Sequence, residues 1–334
     1  MKRLLLLMIP AMLLLSCHFT QPETLKNGKI DKSIRDAVQE TNEQLISALM
    51  RNDITSFKNI TSDALIDKMD KSSDSLLESY GKAIVDKNFK ILDEYYTRVS
   101  SKNKQVTIEN NSRKGMEYTL SYVALNLESY TSLLVVKVDS MHNALITVEY
   151  GKYGPNWLIN IFRIGDYSFH GKNLKGLFNQ AKLDIKDSNI VDAYLNIGLA
   201  KDCLQPAGET IHFKCDSAVN QYFEFVNNTA ATKYTLPFTI ATIDTKPEIL
   251  NVSTKYFYGY GCFPLIRYKT SIPIDDTVRL KAENKLMRQR IGAIFKGIDK
   301  NKRFILYRAF NEVPNGSKEV NYYGFLDDLT DDDN

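Results

Sequence analysis

Between residues 117 and 164 the apolar pattern switches from the helical period towards a period of two, in successive strand-like runs: "EYTLSYVALNL", "SLLVVKVD", "ALITVEY" and "NWLINIFRI". A period of two is the signature of strands, because successive side chains of a strand point to opposite faces. The runs are joined by "SMHN" and "GKYGPN", short segments with the Gly, Pro and Asn that hairpins use. Connections this short force antiparallel neighbours, since a parallel crossover needs a dozen residues or more. Upstream the period is helical: Ile34, Ala37, Val38, Leu45, Ile46 and Leu49 recur at three- and four-residue steps, with Ser33 or Asp31 as cap. "RNDITSFKNI" interrupts this helix and restarts it at Phe57 and Ile60. The pattern predicts a further helix over 73–97, with Leu76, Leu77, Tyr80, Ile84, Ile91, Leu92 and Tyr95 on its apolar side. Residues 33–170 therefore read as an α+β domain, helices followed by a curled antiparallel sheet.

Residues 173–206 are helical again. Ala181, Ala193, Ile197 and Ala200 fall where the two helices of a hairpin need small or apolar contacts, and Pro206 follows. The hairpin resembles one tetratricopeptide-type unit. No second unit stands 34 residues away, so packing onto a neighbouring sheet is expected rather than a peptide-binding array. Residues 207–326 form a second α+β domain with an antiparallel sheet. Its strands are "YTLPFTIATID", "EILNVSTKYFYGYG", "FPLIRYKTSI", "RFILYRAF" and "VNYYGFL", and one long helix spans about 275–298. Gly259-Tyr260-Gly261 reads as a bulge, since it lacks the third glycine of a dinucleotide loop. Residues 327–334 make an acidic tail carrying Asp327, Asp328, Asp331, Asp332 and Asp333.

The chain begins "MKRLLLLMIPAMLLLSCHFTQPE". Two cations precede an apolar run, Leu4–Leu15, that would be about 18 Å long as a helix and too short for a bilayer core. Leu14-Leu15-Ser16-Cys17 resembles the lipobox of bacterial lipoproteins. That resemblance implies removal of residues 1–16 as a signal peptide and acylation of Cys17, palmitate included. It also implies a place in the cell envelope, on the outer membrane facing the periplasm, and the polar, aperiodic stretch with Pro22 and Gly28 reads as a lipidated tether over 17–32. His18 stands where the aspartate of inner-membrane retention would be. "DSL", "DSM", "DSA" and "DTV" at Asp74, Asp139, Asp216 and Asp276 resemble the Bacteroidetes-type O-glycosylation pattern of exported proteins. Loss of Met1–Ser16 removes Lys2 and Arg3, so the formal charge falls from +3 to +1. A chain so nearly neutral is not built for nucleic acid.

"QLISALMRNDITSFKNI" resembles the first helical pair of NTF2-like, SnoaL-type domains. Helices before a meander that ends on the Trp157 strand fit the same cone-shaped fold. The resemblance implies a pocket on the concave face of the sheet, used for catalysis or for binding alone. Tyr118, Tyr122, Tyr150 and Trp157 would line it. Asp139 and Glu149 would supply a carboxylate whose pKa rises on burial, as a general base near neutral pH requires.

No HExxH, GxSxG, phosphate-loop or CxxC pattern occurs, so no motif assigns a reaction, a metal or a cofactor. Cys203 and Cys215 bracket "CLQPAGETIHFKC", and a disulfide closing that loop would stabilise by about 3 kcal/mol. This pairing leaves Cys262 over, although other pairings remain open. His212 with the same two cysteines offers a zinc alternative, which an oxidising compartment disfavours. Between Arg279 and Arg303 nine basic residues face only Glu283 and Asp299, a local balance of +7. Arg279, Lys281, Lys285 and Arg288 on this helix would meet an anionic headgroup surface, pair with the acidic tail, or face solvent. The leading expectation is a lipid-anchored binding or assembly module with an envelope protein as partner and no small-molecule ligand specified. The alternatives are an enzyme using a carboxylate base in the N-terminal pocket and a structural spacer.

Overall fold

The computed structural model describes residues 21–257 and 259–330. The expected signal peptide, Cys17, His18 and the tail residues Asp331–Asn334 lie outside the described residues. Strand β1 (Glu23–Lys26) falls inside the segment expected as a tether and forms an edge strand of the first sheet instead. Helix α1 (Lys32–Met50) starts where Asp31 accepts from the Ser33 N–H at 2.8 Å and its hydroxyl at 2.6 Å. Val38, Leu45, Ile46 and Leu49 make its buried stripe. Asp53 caps α2 (Ile54–Asn59), α3 (Asp63–Ile66) follows, and a capping box between Asp70 and Ser73 opens α4 (Lys71–Ala83).

Here the structure departs from the expected helix over 73–97. The helix stops at Ala83, and β2 (Phe89–Arg98) takes the second half. The reason lies in neighbouring tyrosines: Tyr95 enters one core and Tyr96 another, which a strand between two layers permits and a single helical stripe does not. Strands β3 (Lys104–Asn110), β4 (Tyr118–Ala124), β5 (Glu128–Lys137), β6 (His142–Tyr153), β7 (Asn156–Phe169) and β8 (Lys172–Asn173) follow. The first sheet runs β1-β2-β5-β6-β7-β8, antiparallel throughout. Helices α1, α2 and α4 place Val38, Leu45, Leu49, Phe57 and Leu77 on one face, against Tyr130, Ile146, Val148 and Trp157. The other face contributes Tyr95, Leu133 and Leu145 to a second core. Burial on both faces explains why β5 reads "SLLVV", apolar without a break.

Helices α5 (Leu174–Lys186) and α6 (Ile190–Asp202) form the hairpin, and β9 (Ile211–Phe213) joins β3 and β4 in a three-stranded sheet. Helix α7 (Asp216–Lys233) is an element that the sequence pattern concealed. "DSAVNQYFEFVNNTAATK" is rich in Asn, Thr and aromatics, weak helix formers, and its fully buried positions are Val219 and Val226, two turns apart. These helices and the small sheet close the second core through Leu120, Leu177, Ala181, Ile197 and Val226.

The last unit is β10 (Phe238–Thr239), β11 (Glu248–Phe257), β12 (Gly261–Lys269), α8 (Thr277–Ile294), β13 (Phe304–Phe310) and β14 (Tyr322–Asp328), in sheet order β10-β11-β12-β13-β14. Its pairs are antiparallel except β12–β13, which is parallel because α8 carries the chain back along the sheet. Leu280, Met287 and Ile291 of α8 cover Ile266, Tyr268, Ile305 and Tyr307, and Val191 and Leu195 of α6 join them. Gly259, at φ 79°, sits in the turn between β11 and β12, and Gly261, at φ 105°, opens β12 paired with Phe257, with no bulge there. β14 runs through Asp327 and Asp328, so those two tail aspartates belong to the sheet. No helix among the described residues is long and apolar enough to cross a membrane.

Candidate functional site

The residues expected to line an N-terminal pocket divide between two cores. Tyr150 and Trp157 lie on the helix side, where Tyr150 donates to Asn42 at 2.7 Å and Trp157 packs edge-on to Tyr96 and Tyr130. Tyr118 and Tyr122 lie on the other side, Tyr118 donating to Asp93 at 2.9 Å and Tyr122 sharing a 2.9 Å hydrogen bond with Ser129. Asp139 sits apart, in the β5–β6 turn, accepting from the Met141 N–H at 2.6 Å and the Tyr256 hydroxyl at 2.7 Å. No common pocket gathers them.

Glu149 is the carboxylate that responds to burial. It stands at a bulge in β6, 1% exposed, and neither carboxyl oxygen has a hydrogen-bond partner. Burial pushes its pKa up to about 8, outweighing the nearby Asn160 amide, which favours the charged form. Thr131, its cross-strand neighbour, and Thr147 likewise have unpartnered hydroxyls. Asn160 beside it donates to Asn126 at 3.0 Å, and a Cβ at Gly151 would meet Asn126 at 2.0 Å, so the space around the bulge is filled. A proton can be held there, but a substrate arriving from solvent has no room.

Asp93 shows the opposite balance. Burial alone would raise its pKa, but donors from Arg113 (2.8 Å), Asn27 (3.1 Å), Tyr118 (2.9 Å) and Lys26 (3.1 Å) outweigh that and hold it below the usual carboxylate range. Asn110 adds a donor at 2.9 Å. This network ties β1, β2 and the β3–β4 pair together and leaves no lone pair for a ligand.

An open cavity of about 720 Å³ lies where the first sheet, the α5–α6 hairpin and the C-terminal unit meet. His170 enters it from the β7–β8 turn at φ 51°, followed by Gly171 at 68°. Burial pushes the imidazole pKa down, opposed by a hydrogen bond with the Cys262 backbone, and the ring stands edge-on to Phe263. Lys302 grips Asp192 of α6 at 2.8 and 2.9 Å and donates to the carbonyls of Gly297 (3.0 Å) and Lys300 (2.9 Å). Burial outweighs that cation and lifts Asp192 to about 6. Asp184 accepts from Gln180 at 2.9 Å and Asn196 at 2.7 Å. Arg303 lies over Tyr260 and Phe304, 5.2 and 4.8 Å from their centroids. Both acids are thus engaged within the fold, while Lys172 and Lys300 bring further positive charge to the rim. This cleft draws on residues from 140 to 303, a span that no local motif reports. The basic stretch ending at Lys300, Lys302 and Arg303 was its one sequence signal.

Cys203, Cys215 and Cys262 are all free thiols, so the expected Cys203–Cys215 disulfide is not formed. The intervening loop carries β9, whose pairing of Phe213 with Tyr118 fixes the position of Cys215. Cys203, the C-cap of α6, is instead buried in the core that Cys262 shares, and burial raises the thiol pKa of all three. His212 is exposed on β9, and no cluster of metal-ligand side chains occurs among the described residues. On α8, Arg279 pairs with Asp276 at 3.7 Å, while Lys281, Lys285 and Arg288 border a groove of about 430 Å³ against β14. Arg288 donates to the Asp328 carbonyl at 3.1 Å and Asn284 to the Asp327 carboxylate at 3.0 Å, so the acidic end of β14 already occupies part of this face. No protein-family model, no curated protein and no solved structure matches the chain.

Proposed function

We propose that this chain is a lipid-anchored binding module of the bacterial cell envelope, tethered through Cys17 to the outer membrane on its periplasmic side. Its N-terminal unit follows an NTF2-like plan whose concave face is used for packing instead of for a ligand. The ligand site is the cleft between the three units, and its occupant is an anionic segment of an envelope protein. The observation that supports this reading is the contrast between the two candidate places. Glu149 is sealed at 1% exposure, whereas the 720 Å³ cleft is open, its Asp192 paired with Lys302 and its Asp184 held by the Gln180 and Asn196 amides. That contrast sets the carboxylate-base enzyme behind the binding module.

The test is affinity purification of the full chain from detergent-solubilised membranes, beside the double variant Lys172→Glu, Lys300→Glu. Both lysines line the cleft and neither carries the Asp192 pair. The expected result is a protein partner recovered with the native chain and lost from the variant. Equal recovery from both would overturn the assignment of the cleft. In the same fractions, Cys17→Ala should shift the protein from membrane to soluble and abolish acyl labelling.

A further inference from the structure

The C-terminal sheet carries a second built cavity on the face turned away from α8. On β12, Ile266 and Tyr268 lie under α8; on β13, Ile305, Tyr307 and Ala309 do; on β14, Tyr323 and Phe325 pack against the same core. Alternation along each strand therefore sends Arg267, Arg308 and Tyr322 to the outer face. Register then aligns them. Asn251 pairs with Arg267, Arg267 with Arg308, and Arg308 with Gly324, so one row crosses four strands. A cavity of about 560 Å³ lies over this row, with apolar walls that include Leu236, Phe310 and Val320. Phe263, which faces the cleft, stands four residues along β12 from Arg267, about 13 Å at the rise of a strand.

Two guanidiniums side by side on neighbouring strands repel each other. A fold that needed only a solvated surface gains nothing from that arrangement. No Asp or Glu lines the cavity, and neither arginine has a carboxylate partner among the described residues. Glu312, next to the lining residue Val313, pairs with Lys318 at 2.9 Å, and on β14 Asp327 accepts from Asn284 while Asp328 pairs with Arg303 at 3.3 Å. Arg308 is nonetheless held in place, its guanidinium 4.3 Å over the Tyr322 ring. That stacking fixes the plane and leaves the N–H edge free to donate. Gly324 puts no side chain into the row, and Asn251 adds an amide donor at its other end.

We propose that this cavity binds a phosphate monoester with an apolar body. The dianionic head sits between Arg267 and Arg308, whose forks match phosphate oxygens and whose two charges it neutralises. The body lies on Leu236, Phe310 and Tyr322. Titration calorimetry on the purified full chain with hexyl phosphate, inorganic phosphate and hexanoate tests this. Hexyl phosphate should bind saturably, about tenfold or more tighter than either of the others, because each lacks one half of the match. Arg267→Gln and Arg308→Gln should each weaken it by about tenfold or more, while Lys172→Gln in the cleft leaves it unchanged. Absence of saturable binding, hexanoate binding equal to hexyl phosphate, or an unaffected Arg308→Gln would overturn the proposal. If an arginine variant fails to fold, amide shifts of Asn251 and Gly324 on adding hexyl phosphate to the native chain decide instead. Sedimentation with phosphatidylcholine vesicles, with and without phosphatidic acid, separates the two sources of such a head. Arginine-dependent pelleting with phosphatidic acid identifies a lipid, and binding of hexyl phosphate alone identifies a soluble ester.

Discussion

Glu149 holds both carboxyl oxygens unbonded inside a sheet, and its protonation state couples to folding. Its pKa rises from 4.5 to about 8 on burial. The raised value means that its contribution to stability is fully present below about pH 4.5, where folded and unfolded chains are both protonated. That contribution is lost as pH rises through 8, at about 1.4 kcal/mol per unit. Glu149→Gln removes the titration, and its amide can donate to the unpartnered Thr131 and Thr147 hydroxyls. Urea unfolding should therefore find the variant more stable than the native chain at pH 8 and nearly equal at pH 5. Parallel stability profiles across that range would show that Glu149 is solvated. At this scale the sequence was informative about chemistry and silent about access. A carboxylate on an alternating strand, flanked by apolar residues, was legible as a group that burial would shift. Whether a path led to it depended on Asn126 and Asn160, which lie on a loop and a neighbouring strand.

Among elements, the close approach of α1 and α4 depends on one missing side chain. A Cβ at Gly81 would stand 2.0 Å from the Leu49 carbonyl oxygen, a backbone atom that cannot swing aside. Gly81→Ala should force the helices apart and destabilise by about 1–3 kcal/mol, read as a lower urea midpoint with an unchanged slope. A midpoint at the native value would mean that the interface relaxes freely. The same pair shows where periodicity stops being enough. Leu76, Leu77 and Tyr80 carried a helical pattern that continued by coincidence through Ile84, Ile91 and Tyr95. The structure divides it because Ile84 ends α4 as its C-cap while Tyr95 and its neighbour Tyr96 serve the two faces of a sheet. Helix α7 failed to announce itself for the converse reason: with Val219 and Val226 as its buried positions it has almost no stripe to read.

Across the whole molecule, Lys302 is a charged tie between the helical hairpin and the C-terminal unit, beside the Lys296 bond to the Asp187 carbonyl at 2.8 Å. It joins Asp192 on α6 to the carbonyls of Gly297 and Lys300, with only 18% and 13% of the two side chains exposed. Lys302→Ala leaves Asp192 buried without its cation, a loss of about 2 kcal/mol once residual exposure is allowed for. Hydrogen exchange should rise at the start of α6 and over 297–303 while β5 and β6 keep native protection. Uniform acceleration would point to global destabilisation instead. By itself, the sequence determined the α+β class, the antiparallel meander, the helical hairpin and the long C-terminal helix, because each follows from spacing along a few neighbouring residues. Tertiary structure alone decided that Cys203 lies in the core instead of pairing with Cys215, and that β1 joins a sheet instead of forming a tether. It also decided that Arg267 stands beside Arg308. Those outcomes depend on contacts between residues far apart in the chain, where a local period carries no information about the partner.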